Sequence, residues 1–204
     1  MMGGKILINK GLANKKLMLA LSVVTLVGVA VAWGLKTFSY VEVSTPVEAE
    51  TTYGPIKLTM RLNKTAYKLG EPVNINVTVT NISNETIVLG YTMPPELDFW
   101  VYNESSQVIY KYHQVYAWGL AIVDVILNPG ESFHQYPWYP PLVWDQVEVK
   151  FSPYSHIQVP PGTYYITGRT GPRLGYLGPL DQYNRGHYSG RIDIETPKIQ
   201  IEIT

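Results

Sequence analysis

Hydrophobic and polar residues alternate without a break from Val73 to Thr80. Val73, Ile75, Val77 and Val79 take one parity, and Asn74, Asn76, Thr78 and Thr80 take the other. A strict period of two gives a strand with one buried and one wet face, as in antiparallel sheets. Turn residues flank it, at 68–72 (Lys-Leu-Gly-Glu-Pro) and at 81–85 (Asn-Ile-Ser-Asn-Glu). Further strand candidates follow at short spacing: 56–62, 86–91, 97–102, 108–112, 120–127, 132–136, 146–151, 163–169 and 190–204. Pro, Gly and Asn clusters at 93–95, 103–105, 128–130 and 160–162 separate them. Many short strands with such punctuation predict an antiparallel sandwich or barrel. No stretch after residue 36 has helical periodicity, and there is no internal repeat. Residues 174–189, rich in Gly, Tyr and Pro, read as a surface excursion before the last strand.

The pattern is different at the start. Residues 17–35 form an uncharged run, LMLALSVVTLVGVAVAWGL, behind a polar, basic leader. One reading is a signal peptide cut at Ala30-Val31-Ala32, before Trp33. The other is a membrane anchor, since these 19 residues just suffice to span a bilayer. Under either reading the basic flank leaves the rest of the chain outside, so the expected location is extracellular, at the cell surface. A pilin-type leader cut after Gly11 is disfavoured, because Asn14, Lys15 and Lys16 would then sit in a filament core. The expected division is 1–32 signal or anchor, 33–54 extended arm or linker, and 55–204 β-sandwich. Within the arm, Phe38, Tyr40, Val41 and Val43 favour an extended strand, whereas Glu48 to Thr52 read as a solvated linker. The arm is thus either a stalk or a donor strand that adds to the sheet of another copy.

Charge changes the picture once the leader is set aside. The chain carries 16 basic and 16 acidic residues, but Lys5, Lys10, Lys15 and Lys16 all precede the apolar run. The rest has 12 basic against 16 acidic residues, a balance that opposes nucleic-acid binding. The absence of cysteine excludes disulfides, thiolate metal sites and cysteine nucleophiles. His113, His134, His156 and His187 have no local metal-ligand spacing, and neither a nucleophile elbow nor a phosphate loop is present. No catalytic residue, metal or cofactor is therefore expected.

Two features call for a function. Asn63, Asn76, Asn81, Asn84 and Asn103 each begin an N-x-[ST] triplet, so they are candidate carriers of N-linked glycans in an exported chain. Residues 112–118 and 133–144 are crowded with Tyr, Trp and Pro. Tyr136, Trp138, Tyr139 and Trp144 are the interface candidates there, because Tyr and Trp combine contact area with a polar tip.

The residues Tyr67-Lys68-Leu69-Gly70-Glu71-Pro72-Val73, Leu97-Asp98-Phe99-Trp100-Val101-Tyr102, Leu127-Asn128-Pro129-Gly130-Glu131-Ser132 and Pro161-Gly162-Thr163-Tyr164 resemble the immunoglobulin-like domain of the bacterial intracellular proteinase inhibitor (BsuPI) family. The resemblance spans roughly residues 56–170, with an insertion between Trp144 and Pro161. It implies an all-β, Ig-like antiparallel sandwich, and inhibition of a serine protease as the activity of the family. The layout of signal, arm and sandwich with several glycan acceptors is similar to that of archaeal thread-like filament subunits. That similarity implies copies of the chain as partners, joined through the arm. The reading is a non-catalytic, exported surface glycoprotein that assembles by donor-strand complementation. The alternatives are an anchored domain that binds or inhibits a protease, and a carbohydrate- or solute-binding module that uses the aromatic loops.

Overall fold

A computed structural model describes residues 45–204, apart from 117, 120, 152–153, 172 and 184–190. The leader, the apolar run and the donor-strand residues Phe38, Tyr40, Val41 and Val43 lie outside the described residues.

Two five-stranded sheets carry most of the structure. In the first, β1 (Val47–Tyr53), β2 (Ile56–Leu62), β4 (Val73–Asn81) and β10 (Val143–Trp144) run in that order, and β9 (Ser132–His134) also pairs with β4. In the second the order is β3 (Ala66–Tyr67), β15 (Ile199–Ile203), β13 (Gly162–Thr170), β6 (Leu97–Asn103) and β7 (Val108–Lys111). A three-stranded sheet joins β14 (Leu174–Pro179), β5 (Ile87–Tyr91) and β8 (Val123–Leu127), while β11 (Val147–Phe151) and β12 (Tyr154–Gln158) form a hairpin. Neighbours are antiparallel except β3, which lies parallel to β15. The chain is an all-β antiparallel sandwich.

The alternation in β4 behaves as its pattern requires. Val73, Ile75, Val77 and Val79 are buried, while Asn74 and Asn76 are exposed. Thr78 and Thr80 are half-buried because β9 lies beside them, with Thr78 opposite His134 and Thr80 opposite Ser132. Ile56, Leu58, Met60 and Leu62 of β2 join the same core as Phe99, Val101, Ile166 and Ile201 of the second sheet. The two sheets approach closely at Gly168. A Cβ there would lie 2.8 Å from Cβ of Met60 and 3.2 Å from Cγ2 of Val77.

The structure departs from the sequence reading in four places. Glu48–Thr52, read as linker, belongs to β1, which pairs with β2 over its whole length from Val47–Leu62 to Tyr53–Ile56. Its polar residues are those of an edge strand: Glu48, Glu50 and Thr52 face water while Val47, Ala49 and Thr51 are half-buried. Leu174–Pro179, read as an excursion, is a strand against β5, whose five residues are all buried and need a neighbour on each side. Tyr112–Val115 forms one helical turn, α1, too short to leave a periodicity. Only Ile199–Ile203 of the expected terminal strand joins the ladder regularly, and Glu195 makes an isolated bridge to Arg169.

Candidate binding site: an aromatic end face

Three loops build an aromatic cluster at one end of the sandwich. The segment after β5 turns through Met93, a cis Pro94–Pro95 bond and the buried Glu96. α1 follows β7 directly, and the stretch between β9 and β10 is the Tyr-Pro-Trp segment. Tyr112 ties them together. Its ring is fully buried against Phe99, Tyr116 and Trp118, and its hydroxyl donates to the Pro140 carbonyl at 2.5 Å while accepting from Gln135 Nε2 at 3.2 Å. Trp118 Nε1 donates to the His113 carbonyl at 2.9 Å, so α1 fixes that indole too.

On this base stands an exposed aromatic ridge. Trp138 is 70% exposed and stacks on Tyr136 with centroids 4.5 Å apart and planes 13° apart. Tyr139 meets Trp118 edge-on at 5.3 Å. Beside the ridge lies a cleft of about 330 Å³, lined by Pro94, Tyr116, Trp118, Ala121, Tyr139 and Pro140 among the described residues. Its walls are rings, with phenol and indole groups at their rims.

Glu96 sits under this face. It is fully buried, its Oε1 accepts from the Tyr139 hydroxyl at 3.4 Å, and its Oε2 has no hydrogen bond. Burial raises its carboxyl above the ordinary value. Burial, helped by the Glu96 charge, pushes the Tyr139 phenol up to about 12, and Tyr136 moves the same way. These phenols therefore stay protonated donors at neutral pH.

The interface candidates divide. Tyr136, Trp138 and Tyr139 come together at this face. Trp144 does not: it is fully buried, packs against Tyr164 at 5.5 Å and donates from Nε1 to the Val147 carbonyl at 2.9 Å. It belongs to the core because β10 turns it inward opposite Val73. Tyr116, Trp118 and Glu96 complete the face. The aromatic density of 112–118 announces the first two, but no local signal marks Glu96, which is brought there by the turn before β6.

The glycan candidates divide as well. Asn63, Asn76 and Asn84 are exposed, and Asn103 is half-buried in the β6–β7 turn, bonded to Gln107. Asn81 is fully buried. Its Nδ2 donates to the carbonyls of Glu85 at 2.8 Å and Leu127 at 2.9 Å, and its Oδ1 accepts from the backbone N and hydroxyl of Ser83. Asn81 closes the β4–β5 turn and has no free amide for a sugar, which corrects its place among the glycan sites.

His134 contacts the Thr78 hydroxyl on the outer face of the first sheet, and His113 contacts Asp98 on the second. Among the described residues no three His, Asp or Glu side chains converge to hold a metal ion. No helix among the described residues is long and apolar enough to cross a membrane.

Fold and loops define an all-β domain that presents an exposed aromatic face. The chain belongs to the BsuPI family, described as intracellular proteinase inhibitor, whose match runs over residues 60–170. No curated protein matches it. Among solved structures it is similar to a mutant β-glucosidase from Listeria innocua in complex with laminaribiose, at 14% identity and a TM-score of 0.38, covering 76% of this chain and 16% of that one. A β-glucosidase from Erythrobacter marinus gives 12% identity and a TM-score of 0.36, covering 78% of this chain and 16% of that one. The chain spans 16% of the length of these enzymes.

Proposed function

We propose that this chain is a non-catalytic binding domain that engages a protease through its aromatic end face. The observation that carries the reading is Trp138, a large indole left mostly in water yet held in one orientation by stacking on Tyr136. A rigid, exposed aromatic anchor on Pro-rich loops is what an interface hot spot requires, because little side-chain freedom is lost on binding. The family match supplies the class of partner. The test is inhibition of a panel of serine endopeptidases by the intact chain. Sub-micromolar inhibition that Trp138→Ala weakens about tenfold or more supports the reading. No inhibition of any member at micromolar chain, or inhibition indifferent to Trp138→Ala and Tyr139→Ala alike, removes it.

The filament reading is a second proposal, favoured by one observation. β1 pairs only with β2 among the described residues, so its outer edge is open to an added strand. In that reading the chain is exported, carries glycan on Asn63, Asn76, Asn84 and Asn103, and lends residues 36–43 to the β1 edge of a neighbour. Electron microscopy and mass spectrometry of native material test it. Single particles only, and all four asparagines bare, would end it.

A further inference from the structure

The outer face of the second sheet carries a separate polar site. Asp98, Trp100 and Tyr102 project from β6 on the side away from the core, which Phe99 and Val101 face. Asp98 is almost fully buried. Its Oδ2 accepts from Trp100 Nε1 at 2.9 Å and faces His113 Nδ1 at 2.7 Å, and its Oδ1 accepts from the His113 backbone N at 3.1 Å. With Nδ1 bound to the carboxylate, Nε2 of His113 has no partner among the described residues. The ring is thereby fixed with Nε2 as the nitrogen left for a ligand.

Trp100 holds two cations. Lys111 Nζ lies 4.1 Å and Arg169 Cζ 4.0 Å from its ring centroid. Arg169 is neutralised by an ion pair with Glu195. Lys111 has no carboxylate partner among the described residues, and neither has Arg173. Both border one cavity of about 360 Å³, together with Trp100, His113, Gln114 and Arg191. Arg191 is already paired with Asp193, at 3.0 Å. The cavity therefore collects two uncompensated cations, one fixed imidazole and an amide.

We propose that this cavity binds a small hydroxylated oxyanion of the sugar-phosphate class. Lys111 and Arg173 take the phosphate, whose charge neither has matched among the described residues. His113 Nε2 hydrogen-bonds a ligand hydroxyl, with Asp98 fixing the ring, and Gln114 offers both a donor and an acceptor. The volume is at the small end for ligand pockets and suits a single sugar ring with its phosphate. The site is distinct from the aromatic face: α1 lies between them, giving Tyr112 to the aromatic cluster and His113 to the cavity.

The experiment is calorimetric titration of the full chain with ribose 5-phosphate, inorganic phosphate and ribose, at matched ionic strength. Ribose 5-phosphate should bind about tenfold more tightly than inorganic phosphate, and ribose alone should give no heat. Arg173→Gln and Lys111→Gln should each weaken ribose 5-phosphate about tenfold, while Arg61→Gln on the other sheet leaves it unchanged. The backbone carbonyl of Arg173 accepts from Thr92 N, and this survives the substitution, so the fold is kept. Absence of heat with ribose 5-phosphate at millimolar concentration overturns the proposal. So does equal affinity for phosphate and its ribose ester, or binding indifferent to both cavity substitutions.

Discussion

At the residue scale, buried polar side chains decide more than exposed ones. Asn81 makes four side-chain hydrogen bonds, three within the turn after β4 and one to the Leu127 carbonyl of β8, and Asn81→Ala removes all four from a buried position. The expected cost is about 2–3 kcal/mol, read as a lowered urea midpoint with unchanged slope. A loss near zero would show that the turn is closed by other groups. Gly168 is the apolar counterpart. Gly168→Ala pushes a methyl against Cβ of Met60, part of a fixed strand, and should cost about 1–3 kcal/mol. Glu96 makes a pH prediction. Its folded value lies above the unfolded one, so its contribution is intact below the ordinary carboxylate range and is lost as pH rises toward the folded value. Glu96→Gln lacks that slope. Relative to the native chain, the variant should gain stability as pH rises above the ordinary carboxylate range, and parallel stability curves would refute the assignment.

At the element scale, what could be read from sequence was what a single face dictates. β4 and β2 are legible because every second residue is apolar and buried. β5 is buried on both faces and shows no alternation, so its second neighbour, β14, stayed hidden. β1 was missed for the opposite reason: one edge is free, and the Glu and Thr residues that keep such an edge soluble are those of a linker. At the aromatic face the loop residues announced themselves by composition, whereas Trp144 shares that composition and is core. Nothing local separates Trp138 from Trp144; only the register of β10 on β4 does. The hairpin β1–β2 turns at Gly54, where φ is +55°, as a two-residue loop prefers. β1, paired on one side only, should open more readily than the central β4. Amides of Glu48–Thr52 should exchange with solvent orders of magnitude faster than those of Ile75–Val79, and equal protection would show that something covers the β1 edge.

At the scale of the whole molecule, the two proposals for function make opposite demands on the arm. Both five-stranded sheets are assembled from strands within residues 47–203, and the core side chains between them are buried. No strand from outside the described residues is needed to close that core. A donor strand would therefore act here by extending a sheet edge such as that of β1, adding backbone hydrogen bonds of about 1 kcal/mol each with modest apolar burial. A protease-binding face, by contrast, needs nothing from the arm. A fragment of residues 44–204 should fold cooperatively, sediment as a monomer and keep whatever inhibition the intact chain shows. If it unfolds, or if inhibition vanishes with the arm while Trp138→Ala has no effect, the aromatic face is not the working surface. If it folds as a monomer while the intact chain forms multimers stable in denaturant, the arm joins copies through more than an edge. The sandwich would then have to exchange one of its own strands to receive it, and β1, paired on one side only and next to the arm in sequence, is the candidate.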